Sequence, residues 1–166
     1  MIEMKVAGIA LDAITRSPII LLKDASERRA LLIYIALEQA RAIIGPLENQ
    51  KPPRPLTHDL MMNSLGEWNI NIEKIIIHSL ERDTFYASVI LQQGEFRKEI
   101  DSRPSDAIAL ALRANVSIWV MEEVIANASI PIDRDADEAE QEAFREFISN
   151  LCPEDLIRYF GTSENS

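Results

Sequence analysis

The amino-acid sequence predicts an α+β domain, a mixed and mainly antiparallel sheet with helices packed on it, followed by an acidic C-terminal helical tail. Three observations carry this expectation. Short runs of Ile, Val, Leu and aromatic residues, bounded by turn residues, recur at strand length across 4–23 and 70–101. Residues 36–47 and 104–114 instead space their apolar positions three and four apart, the period of a helix with one buried face. The charge is uneven: residues 129–166 hold 3 of the 17 Lys and Arg but 10 of the 27 Asp and Glu. A domain over 1–128 and a linker with acidic helices over 129–166 are therefore expected.

Taken in order, residues 4–14 and 18–23 read as a strand pair around a turn at Arg16, Ser17 and Pro18, and Ala30–Ile35 as a third strand. Leu37, Ala40, Ile43, Ile44 and Leu47 line one side of a helix that Gly45-Pro46 is expected to close. After the proline-rich loop NQKPPRP, the Thr57 hydroxyl can accept from free backbone N–H groups, so Thr57 is expected to cap a helix running to Trp68. Residues 70–80, 84–92 and 95–101 read as a meander joined at Glu81-Arg82-Asp83 and at Gln93-Gly94. Ile75, Ile76 and Ile77 in succession predict a strand covered on both faces.

Pro104, which has no N–H to lose, suits the first position of a helix through Ala114. A last strand over 117–121 and a short helical turn to Asn127 complete the domain. Pro131–Asp137 reads as a polar linker, and Ala143, Phe144, Phe147, Ile148 and Leu151 as the apolar stripe of the acidic helix. Trp68, Phe85, Tyr86 and Trp119 are expected in the core, the ordinary place for aromatics on alternating strands.

Composition sets bounds. A chain of 166 residues, 47% of them apolar, suits one core. Its longest apolar stretches fall well short of the ~20 residues needed to cross a bilayer, and the start carries Glu3 in a strand-like alternation rather than the basic and apolar blocks of a secretion signal. Cys152 has no second cysteine to pair with, which suits a reducing compartment, so the cytoplasm is the expected location. A net charge of −10 argues against a strong sequence-independent DNA binder, because such binding comes from Lys and Arg neutralising phosphates. Most of the excess acid lies in the tail, however, and leaves the body near neutrality.

Two loop-to-helix junctions share a local plan. Arg54-Pro55-Leu56-Thr57-His58-Asp59 and Arg103-Pro104-Ser105-Asp106 each place Arg-Pro, a hydroxyl and a carboxylate around a helix start. A helix start offers unpaired N–H groups and a positive dipole end, and a guanidinium fork adds a match for two phosphate oxygens. Arg54, Thr57, Arg103 and Ser105 are thus candidate phosphate-binding residues. Asp59, Asp101 and Asp106 could hold a hard cation such as Mg²⁺ or orient water, and the imidazole of His58 could shuttle a proton. Together these are the parts of phosphodiester hydrolysis. The same Thr57, Asp59, Ser105 and Asp106 would equally serve as caps and dipole partners.

At these residues the chain resembles a known family, the bifunctional nuclease domain. The resemblance rests on PRPLTHDL at 53–60, TFYASVIL at 84–91 and IDSRPSDAIALALR at 100–113, supported by AIIG at 42–45, and spans roughly 4–128. It implies an α+β fold, a homo-oligomer that is commonly a dimer, and activity on both DNA and RNA. Some relatives append a UvrB/UvrC-like motif, whereas this chain continues into an acidic segment ending in PEDLIRYF. Such a segment is either a solvated outer face, a gate over the site or a partner-binding helix. The residues therefore support two functions: a nuclease of low sequence specificity, or a non-catalytic oligomeric module that uses the same groups to bind an anion or a protein.

Overall fold

The computed structural model describes residues 1–132. The expected acidic helices lie outside those residues. Within them the fold consists of β1 (Ile2–Leu11), β2 (Pro18–Asp24), β3 (Arg29–Tyr34), α1 (Leu37–Leu47), α2 (Thr57–Glu67), β4 (Asn71–Glu81), β5 (Thr84–Gln93), β6 (Phe96–Ser102), α3 (Pro104–Ala114), β7 (Ile118–Val120), α4 (Glu122–Ala128) and β8 (Ser129–Pro131). One curled, mixed sheet runs in the order β6-β5-β4-β7-β1-β2-β3-β8. Two antiparallel meanders, β1-β2-β3 and β4-β5-β6, are joined by β7, which pairs antiparallel to β1 and parallel to β4. The fold is α+β, as the sequence predicts. Among the described residues no helix is long and apolar enough to cross a membrane.

Turn chemistry fixes the meanders. Arg82 and Asp83 both take positive φ and form a two-residue hairpin loop, with Glu81 opposite Thr84, whose hand matches the twist of the flanking strands. Gly94 sits at φ 59 in the next turn, where Gln93 pairs with Phe96. Between β1 and β2, Asp12 Oδ1 accepts from the N–H groups of Ile14 and Thr15.

Each meander feeds a helix, α1 or α3, and these pack together on the sheet. Ile75 and Ile77 of β4 face Val89 and Ala87 of β5, and all four are buried with Ile108 of α3. Ile76, on the opposite face, is only half-buried, so β4 is covered less evenly than its isoleucine run predicts.

Four expectations need correction. Gly45 and Pro46 lie inside the last turn of α1, and the Gly45 carbonyl accepts from Gln50 N–H beyond it. Thr57 is the first helical residue and makes no side-chain cap; Leu56 stands at the cap position. Trp68 and Tyr86, both expected in the core, are 73% and 39% exposed, Trp68 because α2 ends at the rim of the sheet and buries none of its residues fully. Finally, the chain after α4 returns as a short strand, β8, paired with β3.

Packing predicts where substitution hurts. Ile77 is fully buried and Ile14 is 93% exposed. Ile77→Ala is expected to cost about 2–5 kcal/mol, a methylene loss plus a cavity, whereas Ile14→Ala stays within about 0.5 kcal/mol. Urea unfolding monitored by circular dichroism checks both.

Candidate functional site

The N-termini of α2 and α3 meet, and carboxylates at the third position of each helix govern the meeting. Asp59 Oδ2 accepts from the Leu56 N–H at 2.9 Å, closing the first turn of α2 from inside. Leucine cannot supply the reciprocal side-chain cap, so this backward bond does the capping alone. Pro104 occupies the first turn of α3, behind an extended Arg103. Asp106, three residues on, meets the Arg103 side chain, with Nε donating to Oδ2 at 2.6 Å.

The other oxygen of each carboxylate reaches across. His58 Nε2 lies 2.9 Å from Asp106 Oδ1. An ionised carboxylate can only accept, so Nε2 carries the hydrogen and the neutral ring keeps its lone pair on Nδ1. Arg113, near the end of α3, donates from Nε to Asp59 Oδ1 at 2.7 Å. Its Nη1 donates to the carbonyl oxygens of Ala42 in α1 and Ala109 in α3, at 2.7 and 2.9 Å. The Arg113 side chain is 10% exposed, that of His58 16%, and that of Arg103 68%. One arginine is therefore a buried tie and the other stands open to solvent.

Electrostatics follow from this wiring. Desolvation pushes the Asp106 carboxyl up, but hydrogen bonds from Arg103 and His58 and their charges outweigh it and hold Asp106 below its ordinary value. Asp59 behaves alike: desolvation raises it, while Arg113 and the Leu56 N–H bring it down further. The Asp106 hydrogen bond and charge in turn raise Arg103.

Of the residues expected from sequence, His58, Asp59, Arg103 and Asp106 are brought together. Arg54 and Thr57 are exposed at the approach to α2. Ser105 is buried at 4% exposure, which takes its hydroxyl off the surface. Asp101 pairs with Ser88, and neighbouring Ile100 with Val89. Val89 belongs to the core beneath the helices, so Asp101 points to the opposite face of the sheet. Arg113 was missing from the expected set. Its signal was the spacing: Asp106 and Arg113 lie seven residues apart, two turns of one helix, and so on one face.

The anticipated cation does not fit these carboxylates. Asp59 and Asp106 already hold Arg113, the Leu56 N–H, His58 and Arg103, and Asp101 faces away. Among the described residues no group of three His, Cys, Asp or Glu side chains could hold a metal ion.

Two helix starts that meet over a mixed sheet, joined by a His–Asp contact beside an exposed arginine, make this an α+β domain with one polar junction between helices. The chain belongs to the bifunctional nuclease domain family, whose pattern matches residues 20–133. It is also similar to two proteins of Mycobacterium tuberculosis, Uncharacterized protein MT1877 of strain CDC 1551 / Oshkosh and Uncharacterized protein Rv1829 of strain ATCC 25618 / H37Rv. Each is 35% identical over 162 residues, covering 93% of this chain and 97% of the relative. That similarity extends past residue 133 into the acidic segment.

Two outcomes test the wiring. Arg113→Ala leaves Asp59 Oδ1 without its partner and removes the donor to the Ala42 carbonyl, whose helical donor position is Pro46, and is expected to cost about 1–3 kcal/mol, the penalty for leaving partly buried polar groups unsatisfied. Urea unfolding measures it. Asp59 and Asp106 are both depressed from 3.8, so their stabilisation is complete above that pH and is lost as pH falls through the lower folded values. Unfolding free energy should therefore drop below pH 3.8 more steeply in the wild type than in Asp59→Asn or Asp106→Asn. Parallel pH profiles would contradict the pairing.

Proposed function

We propose that this protein is a nuclease of low sequence specificity that hydrolyses phosphodiester bonds in DNA and RNA, acting in the cytoplasm as a homo-oligomer, with a dimer favoured. The observation that carries the reading is the His58–Asp106 hydrogen bond beside an exposed Arg103, in a chain of the bifunctional nuclease domain family. Asp106 fixes the ring so that Nδ1 can accept a proton from water. In the protonated ring, Asp106 also stabilises the positive charge. Arg103 uses Nε on Asp106, and its terminal nitrogens can meet the phosphate oxygens on which negative charge grows. Arg54 and Thr57, exposed at the approach to α2, would be further contacts for the nucleic-acid backbone.

A second reading has its own observation. Both carboxylates are fully engaged within the protein, and Asp59 with Arg113 ties three helices. The same residues then serve only as a clamp in a non-catalytic module that binds an anion or a protein.

Cleavage of plasmid DNA and of RNA separates the two. His58→Ala is expected to slow turnover by about a hundred- to ten-thousand-fold, the usual value of a general base, while leaving the melting temperature near that of the wild type. Arg103→Ala should lower the rate by about a hundred-fold. If the wild type cleaves neither substrate and Asp106→Asn merely destabilises, the clamp reading replaces the nuclease.

A further inference from the structure

The helix α2 and the edge strand β6 approach each other near both of their ends, at the His58–Asp106 contact and at an open aromatic end. At one end His58 meets Asp106, four residues after β6 finishes at Ser102. At the other, Gln93 Nε2 donates to the Trp68 carbonyl at 2.7 Å, and Gln93 is the partner of Phe96. The eleven residues from His58 to Trp68 span about 15 Å of helix, a length comparable to that of β6 between the same two ends.

The register of β6 sorts its side chains. Ser102 and Ile100 lie opposite Ala87 and Val89, which belong to the core beneath the helices. Lys98 and Phe96 follow on that same face, while Arg97, Glu99 and Asp101 point to the other. The α2 side of the strand thus shows Phe96 at 79% exposure, Lys98 and Ile100, and leads to Arg103, whereas both acidic residues of the strand turn away. Trp68, at 73%, and Met61 border it from the helix.

We propose that this trough between α2 and β6 is a track for single-stranded nucleic acid. Unpaired bases stack on Trp68 and Phe96, and Lys98 and Arg103 follow the backbone toward His58. The inference rests on the nuclease reading and names its substrate class. Two large rings left in solvent beside cations are the parts of a stacking platform. A duplex keeps its base faces covered and can use neither ring.

Binding is measured apart from cleavage. The full chain is titrated into a short fluorescein-labelled oligothymidylate, and into a duplex of the same length, with anisotropy as the readout. The single strand should bind more tightly than the duplex and weaken as salt rises. Trp68→Ala and Phe96→Ala should each weaken binding by about five- to a hundred-fold, Trp68→Phe should recover most of the loss, and Ile14→Ala should leave binding unchanged. Absence of binding by the wild type, or binding indifferent to both rings, overturns the track. So does a fall in sedimentation mass for Trp68→Ala, which would make this face a seam between copies of the chain. Ring-dependent binding without cleavage would remove the nuclease reading and leave the track standing, and cleavage without ring dependence would do the reverse.

Discussion

The attachment of α2 depends on one side chain. That helix buries none of its residues fully, and only Met62 and Leu65 pack partly against the core. Arg113 holds it by Asp59 while also binding carbonyls of α1 and α3. A guanidinium can do this because it presents five donors in a rigid fork, so one buried charge is divided among a carboxylate, the Ala42 carbonyl, whose helical donor position is taken by Pro46, and the Ala109 carbonyl. Without that tie, partial apolar contact would be the main force seating α2, and His58 would lose its fixed distance from Asp106. The geometry of the polar site is therefore a consequence of a fold contact made at the far end of α3.

This arrangement also changes how an anion could be held. Two helix starts facing each other suggest capture by free N–H groups and dipoles. Each start, however, is already compensated by its own carboxylate, Asp59 in α2 and Asp106 in α3. The internal acids use up much of the positive field, so on the proposed function the attraction for a phosphate would come from the exposed guanidinium of Arg103, with the helix ends serving to aim it.

Much of this was readable in the sequence, for local reasons. Pro104 marks the start of α3, and the tight turns set the β4-β5-β6 meander, because φ restrictions act within a few residues. The pairing of the two Arg-Pro junctions was visible as similarity of plan. What was not legible involved competition or distance. Thr57 is not the cap because the helix begins one residue earlier than the hydroxyl suggested, with Leu56 at the cap position and its N–H held by Asp59 from inside the helix. The alternation along β6 placed Asp101 and Ile100 on opposite faces, but only the pairing with β5 says which face the helices cover. Trp68 was assigned to the core because aromatics usually go there, and nothing local reveals that α2 ends at the rim of the sheet.

The net charge of −10 looks hostile to a polyanion, yet charge acts locally. At physiological salt, fields between exposed groups decay over about 8 Å, so a phosphate near Arg103 responds to its neighbours and hardly to acids at the far edge of the sheet. The β6 register decides which neighbours those are. A slip of one residue against β5 would turn Lys98 away and bring Arg97, Glu99 and Asp101 to the α2 side, turning the strand's own share of that face from positive to net negative without altering composition. The pairing of Val89 with Ile100, and the packing of Val89 beneath the helices, thereby fixes the electrostatics of a surface that Val89 does not itself form. Core packing and surface charge are in this way the same constraint, acting along one face of one strand.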